Sequence, residues 1–371
     1  MLENFLRPIS IDKIININDL EPFQLGKHLK IYSDYFPNLS DIKVVIIGVG
    51  KQEANAVRRC LYQLSNYSSD LKIADLGNLA KSNTEVLLPV IKELLDGQIL
   101  PIIIGETHHL SLAQYQAYHL REQLCNMVIV DRTIDFTFSK TRARRNQYFL
   151  NKILQAEKSY LLHLGLVGYQ SHFVDPRTLE LFEEYQFDYT RLGHLRANLE
   201  EVEPIIRDAD FLSFDISAIR QSESPGSLSP SPSGLFAEEA CKLAHYAGMN
   251  DKLSSIGFYG FDQELDINNQ TAHLIAQMIW YFLDGFSNRK EDYPINTDGF
   301  VEYVVDFKSS DYQITFWKST RSDRWWMQIP VKNKSKKYDH HRLVSCSYND
   351  YLQACREELS ERLVNAFSRF A

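Results

Sequence analysis

The five cysteines of this 371-residue chain, Cys60, Cys125, Cys241, Cys346 and Cys355, include no Cys-x-x-Cys pair. An odd number without metal-ligand spacing argues against a disulfide framework and a zinc ribbon, and for a reducing compartment. No apolar run approaches the roughly 20 residues of a membrane span. Met1-Leu-Glu-Asn-Phe-Leu-Arg-Pro has neither the basic start nor the apolar stretch of a signal peptide. A cytoplasmic protein without membrane contact is expected. Excess positive charge is missing too: 40 Lys and Arg stand against 48 Asp and Glu, a formal net charge of −8. That balance disfavours a nucleic-acid-binding face. No internal repeat is found.

What the chain does have is a series of short, continuously apolar runs. They are Lys43–Gly50, Leu100–Gly105, Asn126–Asp131, Tyr160–Leu166, Phe211–Ile216 and Leu253–Gly260. Runs of this kind suit parallel strands covered on both faces. Helical patterns lie at Asn83–Leu95, Leu112–Leu124, Glu200–Asp208, Gly234–Ala247 and Thr271–Phe286. Strand and helix alternate, so the expected class is an α/β domain with a mostly parallel sheet. In such sheets ligands bind beyond the C-terminal ends of the strands.

The expected organisation is an N-terminal extension over 1–39, an α/β domain over 40–286, a polar linker over 287–299 and a small C-terminal α+β appendage over 300–371. Within the appendage Phe300–Phe307, Tyr312–Lys318 and Trp325–Pro330 alternate like antiparallel strands, and Tyr348–Phe370 reads as one amphipathic helix. Trp317, Trp325 and Trp326 are expected in a core or interface rather than on a binding face. The Ser- and Pro-rich Gln221–Gly234 is expected to be a long surface loop within the domain that rims a site. His340-His341 sits in mixed charge and is expected in a solvated loop.

Three strand ends carry candidate ligands. His108 follows the strand that ends at Gly105; Asp131, with Thr133 and Asp135 beyond it, ends the next; Asp215, with Ser217 after it, ends a third. One imidazole and three carboxylates form a donor set suited to Mn²⁺ or a similar borderline metal. Singly, a strand-end Asp is most often a turn residue. Jointly, the four stand where an open α/β sheet places its site.

These motifs resemble those of the arginase–agmatinase–formimidoylglutamase superfamily, the ureohydrolases. That family carries G-G-D-H-S, D-A-H-x-D and S-x-D-x-D-x-x-D-P; this chain has G-E-T-H-H, D-R-T-I-D and S-F-D-I-S-A-I-R-Q. The resemblance covers roughly residues 40–286 and is nearest the formimidoylglutamase-like branch. It implies a three-layer α/β/α fold and hydrolysis of an amidine or guanidine by two Mn²⁺ ions sharing a hydroxide. It also implies, by analogy, a homo-oligomer. The ligands of one metal fall on His108, Asp131, Asp135 and Asp215, all kept in type. The private ligands of the other fall on Thr133 and Ser217, and a neutral hydroxyl replaces each.

Other departures concern the substrate. Thr107 stands where the family has an acid, and Arg220-Gln221 replaces Asp-Pro. The Gly-rich loop after the first strand is shortened to Gly50–Asn55. No acid occupies Phe258–Gly260, where an amidine-gripping carboxylate is expected, and Glu264 lies beyond the strand end. The first reading is therefore a catalytically impaired family member serving as a scaffold or binding module without metal, its acids being fold residues hydrogen-bonded at strand ends or paired with Arg132 or Arg220. A protein partner would then bind through the appendage. The alternative is a hydrolase with one Mn²⁺, in which Glu106 or His109 moves protons for a small amidine or guanidine substrate such as formimidoylglutamate. A third reading keeps intact two-metal hydrolysis with ligands from other positions.

Overall fold

The apolar runs become strands buried over most or all of their length, because β-branched and aliphatic side chains fit a sheet covered on both faces. The computed structural model describes residues 2–66, 70–142, 147–295, 298–307, 312–329 and 343–370. Its main sheet comprises β1 (Leu6–Arg7), β2 (Lys30–Ile31), β3 (Val44–Val49), β4 (Ile73–Leu79), β5 (Leu100–Gly105), β6 (Cys125–Val130), β7 (Leu161–Tyr169), β8 (Asp188–Arg191), β9 (Phe211–Asp215) and β10 (Ser255–Tyr259). The order is β1-β4-β3-β5-β10-β9-β6-β7-β8, with β2 beside β4. Every pairing is parallel except that of β1 with β4. One apolar cluster packs on each face of the sheet, giving the expected three layers of an arginase-like α/β fold.

Two elements beside β3 escape the sequence reading for one reason. Strand β4 carries Asp75, Gly77 and Asn78, which do not look like a buried strand. The helix Lys51–Leu61 directly follows Gly50, where a shortened loop was expected. Arg58 on that helix explains both. Its Nε and Nη2 donate to the Asp75 carboxylate at 2.7 and 2.9 Å, Nη1 to Asn78 Oδ1 at 2.6 Å and Nη2 to Gly77 O at 2.7 Å. The Tyr62 hydroxyl also donates to Asp75, at 2.8 Å. A charge that looked solvated in the sequence is fully buried, and every polar group around it is paired.

The helix Thr84–Asp96 starts as expected, with Asn83 Oδ1 accepting from Val86 N. The helices Ser111–Leu120, Ala237–Met249 and Gln270–Ser287 lie near their expected positions, while Glu200–Asp208 is reduced to a 3₁₀ turn and the short helix Glu203–Arg207. Gln221–Gly234 is less of a surface loop than expected. Ser224, Ser227 and Ser231 are buried, and Ile219 pairs with Leu235 in an isolated bridge.

The C-terminal region forms a second, antiparallel sheet in the order β11 (Phe300–Phe307), β12 (Tyr312–Ser319), β13 (Trp325–Gln328) and β14 (Leu343–Cys346). Four-residue β14 is too short to stand out in the sequence. The expected single terminal helix is two, Tyr348–Cys355 and Glu361–Phe370, separated where Glu357 takes a φ of 62°. Trp325 and Trp326 are buried, as core residues should be, whereas Trp317 is half-buried with Nε1 donating to Gln328 Oε1. Lys336–Arg342, with His340-His341, lies outside the described residues.

This sheet is fastened to the main one by Arg207 and Asp208, at the foot of β9. Arg207 donates to Trp325 O at 3.1 Å and Cys346 O at 2.9 Å, lies 4.4 Å over the Trp326 ring and pairs with Glu203 at 3.1 Å. Asp208 accepts from Ser345 N and Oγ. The segment expected as a solvated linker is also anchored: Arg289 donates to Gly248 O and Leu253 O, and buried Asp292 accepts from Ser322 Oγ. Replacing Arg207 by Ala strips two buried carbonyls of donors and exposes Trp326. The change is expected to lower unfolding stability by about 3 kcal/mol, read as a shift in the denaturant midpoint followed by tryptophan fluorescence. A loss below about 1 kcal/mol, the range of an ordinary surface substitution, would contradict this account of the junction.

Candidate metal centre

The four central strands of the sheet, β5, β10, β9 and β6, end on one side of the molecule, and three of them deliver a ligand there. Beyond β5 the chain enters a 3₁₀ turn, His108–Leu110, which runs into the helix Ser111–Leu120 and turns the His108 side chain back over the strand ends. At the end of β6, Asp131 Oδ1 accepts from Thr133 N at 3.1 Å. At the end of β9, Asp215 Oδ1 accepts from Ser217 N at 2.7 Å. These are Asx turns, so the acids help to end their own strands. The tip of β10 makes room for them. Gly260 has a φ of +82°, and a Cβ there would lie 2.7 Å from Asp215 Oδ1. The acid missing from Phe258–Gly260 is thus replaced by a residue that lets Asp215 sit close to the backbone.

The ligands expected from the sequence converge. His108 Nδ1 lies 2.8 Å from Asp135 Oδ2, 3.3 Å from Asp131 Oδ2 and 3.6 Å from Asp215 Oδ2. Nevertheless Nδ1 is buried and makes no well-directed hydrogen bond. Its opposite nitrogen, Nε2, is 2.8 Å from Ser213 Oγ, which also contacts Ser111 Oγ. With Nε2–H donating to Ser213, the Nδ1 lone pair faces the acids, the tautomer a metal-ligating imidazole needs. The Phe149 ring packs edge-on at 5.1 Å and holds the imidazole plane.

The electrostatics point the same way. Burial, then the charge of Asp131, pushes the Asp215 carboxyl up to about 7. Burial likewise raises Asp135. For His108 burial opposes the charged form, but the hydrogen-bonding reach of Asp131 and Asp135 and the charge of Asp215 outweigh it and hold the imidazole well above its ordinary value. The cluster grips protons because it has more buried negative charge than one imidazole offsets. Neither Arg132 nor Arg220 corrects this: among the described residues neither forms an ion pair with these acids, and their guanidiniums lie over Phe173 and Phe236. The expectation that those arginines neutralise the acids is therefore not met. The ligand atoms of His108, Asp131 and Asp135 lie within 4.8 Å of one another, and Asp215 Oδ2 is 3.6 Å from Nδ1, a grouping that fits the shell of one divalent ion.

The two hydroxyl substitutions face inward as well. Ser217 Oγ donates to Asp131 Oδ1 at 3.1 Å, and Thr133 Oγ1 to Asp131 Oδ2 at 3.3 Å. Both are spent on Asp131. A cavity of about 290 Å³ opens above the cluster, with His109, Arg132, Gln147, Leu228 and Ser229 in its wall. His109 therefore reaches the site; burial and the charges of Lys152 and His108 hold it below its ordinary value, in the neutral form. Glu106 is exposed and is not part of the cavity wall, and Glu264 sits on an exposed turn, Gln263–Leu265. Ser213, Ser111 and Gly260 were not singled out from the sequence. Their roles arise only across neighbouring strands, although Ser213 stands two residues before Asp215 on the same face of β9.

With the geometry established, comparison with known proteins gives consistent results. A sequence model described as the arginase family matches residues 50–284. A formimidoylglutamase of Staphylococcus aureus is 23% identical over 246 residues, covering 63% of this chain and 78% of that protein. Among solved structures, formimidoylglutamase from Bacillus subtilis superposes with a TM-score of 0.62 at 17% identity, over 77% of this chain and 98% of that one. Trypanosoma cruzi formiminoglutamase with Mn²⁺ gives 0.61 at 20% identity, over 68% and 96%.

If the cluster holds a metal, His108→Ala should abolish Mn²⁺ retention measured by elemental analysis after desalting. Ser213→Ala, which frees the imidazole to turn, should weaken Mn²⁺ binding about 10- to 100-fold in a calorimetric titration. Full retention by His108→Ala would exclude this imidazole as a ligand.

Proposed function

This chain belongs to the arginase family, and from that premise we propose that it holds one divalent cation, where its two-metal relatives hold a pair, and hydrolyses a C–N bond of an amidine. The supporting observation is the buried His108 Nδ1, which lies within 3.6 Å of a carboxylate oxygen of each of three acids. His108, Asp131, Asp135 and Asp215 would hold the ion. Mn²⁺ is the assignment, from the mixed nitrogen and oxygen donors and from the manganese of the Trypanosoma cruzi relative. When bound, such an ion polarises the substrate and acidifies water at neutral pH.

The chain's own groups have distinct tasks in this reading. Ser213 fixes the tautomer of His108. Thr133 and Ser217 orient Asp131 and cap the side of it that a second ion would need. Neutral His109, in the cavity wall, accepts a proton from the attacking water and returns it to the departing nitrogen. Water adds to the amidine carbon, the C–N bond breaks, and the amine leaves with that proton. Three carboxylates on one ion blunt its Lewis acidity, so turnover slower than that of two-metal relatives is expected.

A second reading, metal and ligand binding without turnover, is favoured by one observation: among the described residues the acids in the cavity wall are Asp131, Asp135 and Asp215. None is left over to grip an amidinium. The two readings separate on one comparison. Wild-type protein with Mn²⁺ should release ammonia or formamide from formimidoylglutamate, and His108→Ala should not; equal release from both would refute the hydrolytic reading. Restoring the missing ligand types supplies an independent check. Thr133→His with Ser217→Asp should raise bound Mn²⁺ from about one to about two per chain. An unchanged count would mean that the two hydroxyls do not set the metal number.

A further inference from the structure

Among the described residues, the cavity above the cluster has one cationic side chain in its wall that neither the metal nor the proton transfers employ. Arg132 directly follows Asp131 and forms part of the wall. Its guanidinium lies 4.5 Å over the ring of Phe173, itself 43% exposed. Its Nε is buried without a hydrogen-bond partner, and among the described residues Arg132 makes no ion pair. Stacking on a ring satisfies the flat face of a guanidinium but leaves its in-plane N–H donors free. A buried, unpaired N–H costs free energy unless something supplies an acceptor.

The rest of the wall says what that acceptor is not. Among the described residues every acid lining the cavity belongs to the cluster, and none lies within ion-pair distance of Arg132. The other wall groups, His109, Gln147 and Ser229, are uncharged or neutral at neutral pH. A ligand with a second positive charge finds no counter-ion, whereas one with a planar oxyanion finds a fork already oriented by its aromatic neighbour.

We propose that Arg132 is the specificity-determining residue of this cavity, binding a carboxylate of the ligand through its guanidinium fork, so that the site takes carboxylate-bearing molecules and rejects cationic ones. The proposal deepens the preceding functional reading and rests on the same cavity, but the two can fail separately. The probe is glutarate, a five-carbon dicarboxylate, with 1,4-diaminobutane as the cationic counterpart. Binding to full-length protein is measured by calorimetry, both with Mn²⁺ and metal-free. Wild type should bind glutarate in preference to the diamine. Arg132→Gln should weaken glutarate binding about 10- to 100-fold in both states. Arg132→Lys, which keeps the charge without the planar fork, should recover only part of the loss. If Arg132→Gln does not fold, wild-type protein still decides the matter: glutarate should protect Arg132 from an arginine-selective dicarbonyl reagent, scored by peptide mapping.

Absence of glutarate binding to wild type, unchanged affinity in Arg132→Gln, equal binding of the diamine, or no protection of Arg132 would each overturn the proposal. Mn²⁺ counted on the same samples reports on the metal reading alone. A wild type without Mn²⁺ would refute the single-ion centre and leave the metal-free glutarate comparison standing.

Discussion

Three carboxylates brought together in a buried pocket repel one another, and much of the architecture on this side of the molecule keeps them there. Their strands are parallel neighbours or next-nearest neighbours, so their ends cannot separate without breaking the sheet. Two of the acids terminate strands through hydrogen bonds to their own backbone. A glycine at the tip of the neighbouring strand β10 leaves room for one of these two, Asp215. One imidazole, locked from behind by a serine, stands among them. In the absence of a cation the cluster holds protons instead, which is why Asp215 is pushed up to about 7.

The loss of two ligands, read only as letters, suggests decay. In the structure the replacements have a consistent geometry. Thr133 and Ser217 both donate to Asp131, Ser217 to Oδ1 and Thr133 to Oδ2, the oxygen that also faces His108. The remaining donors keep the spacing of a coordination shell. A site relaxing without function would be expected to fill with an internal counter-ion, and the two nearby arginines would be the obvious choice. Neither is used in that way.

The convergence of His108, Asp131, Asp135 and Asp215 was legible in the sequence because they follow the ends of apolar runs, and strand ends share a common edge in a parallel sheet. The fold class was legible for the same reason. What stayed hidden depends on pairing across the chain. Strand β4 and the helix Lys51–Leu61 conceal each other: Asp75 argues against a buried strand and Arg58 against a buried helix face until the two are seen bonded. The neutral place of His109 in the cavity wall, the exclusion of Glu106 from it and the support from Ser213 also follow from neighbours distant in sequence. The division of the last helix depends on a backbone angle at Glu357, which a periodic pattern passes over.

The attachment of the C-terminal sheet has a mechanical consequence for the centre at the opposite edge. Arg207 and Asp208 stand four and three residues before Phe211, the first residue of β9, and Asp215 is the last residue of that strand. Five residues at about 3.3 Å each separate foot from head, a rod of roughly 17 Å. The appendage therefore holds the lower end of the lever whose upper end carries an acid of the cluster. Its neighbours β6 and β10 run alongside through continuous hydrogen-bonded registers. A strand clamped at its base and flanked on both sides has little freedom to slide, so the position of Asp215 is set as much by a sheet at the far side of the molecule as by the residues that surround its carboxylate.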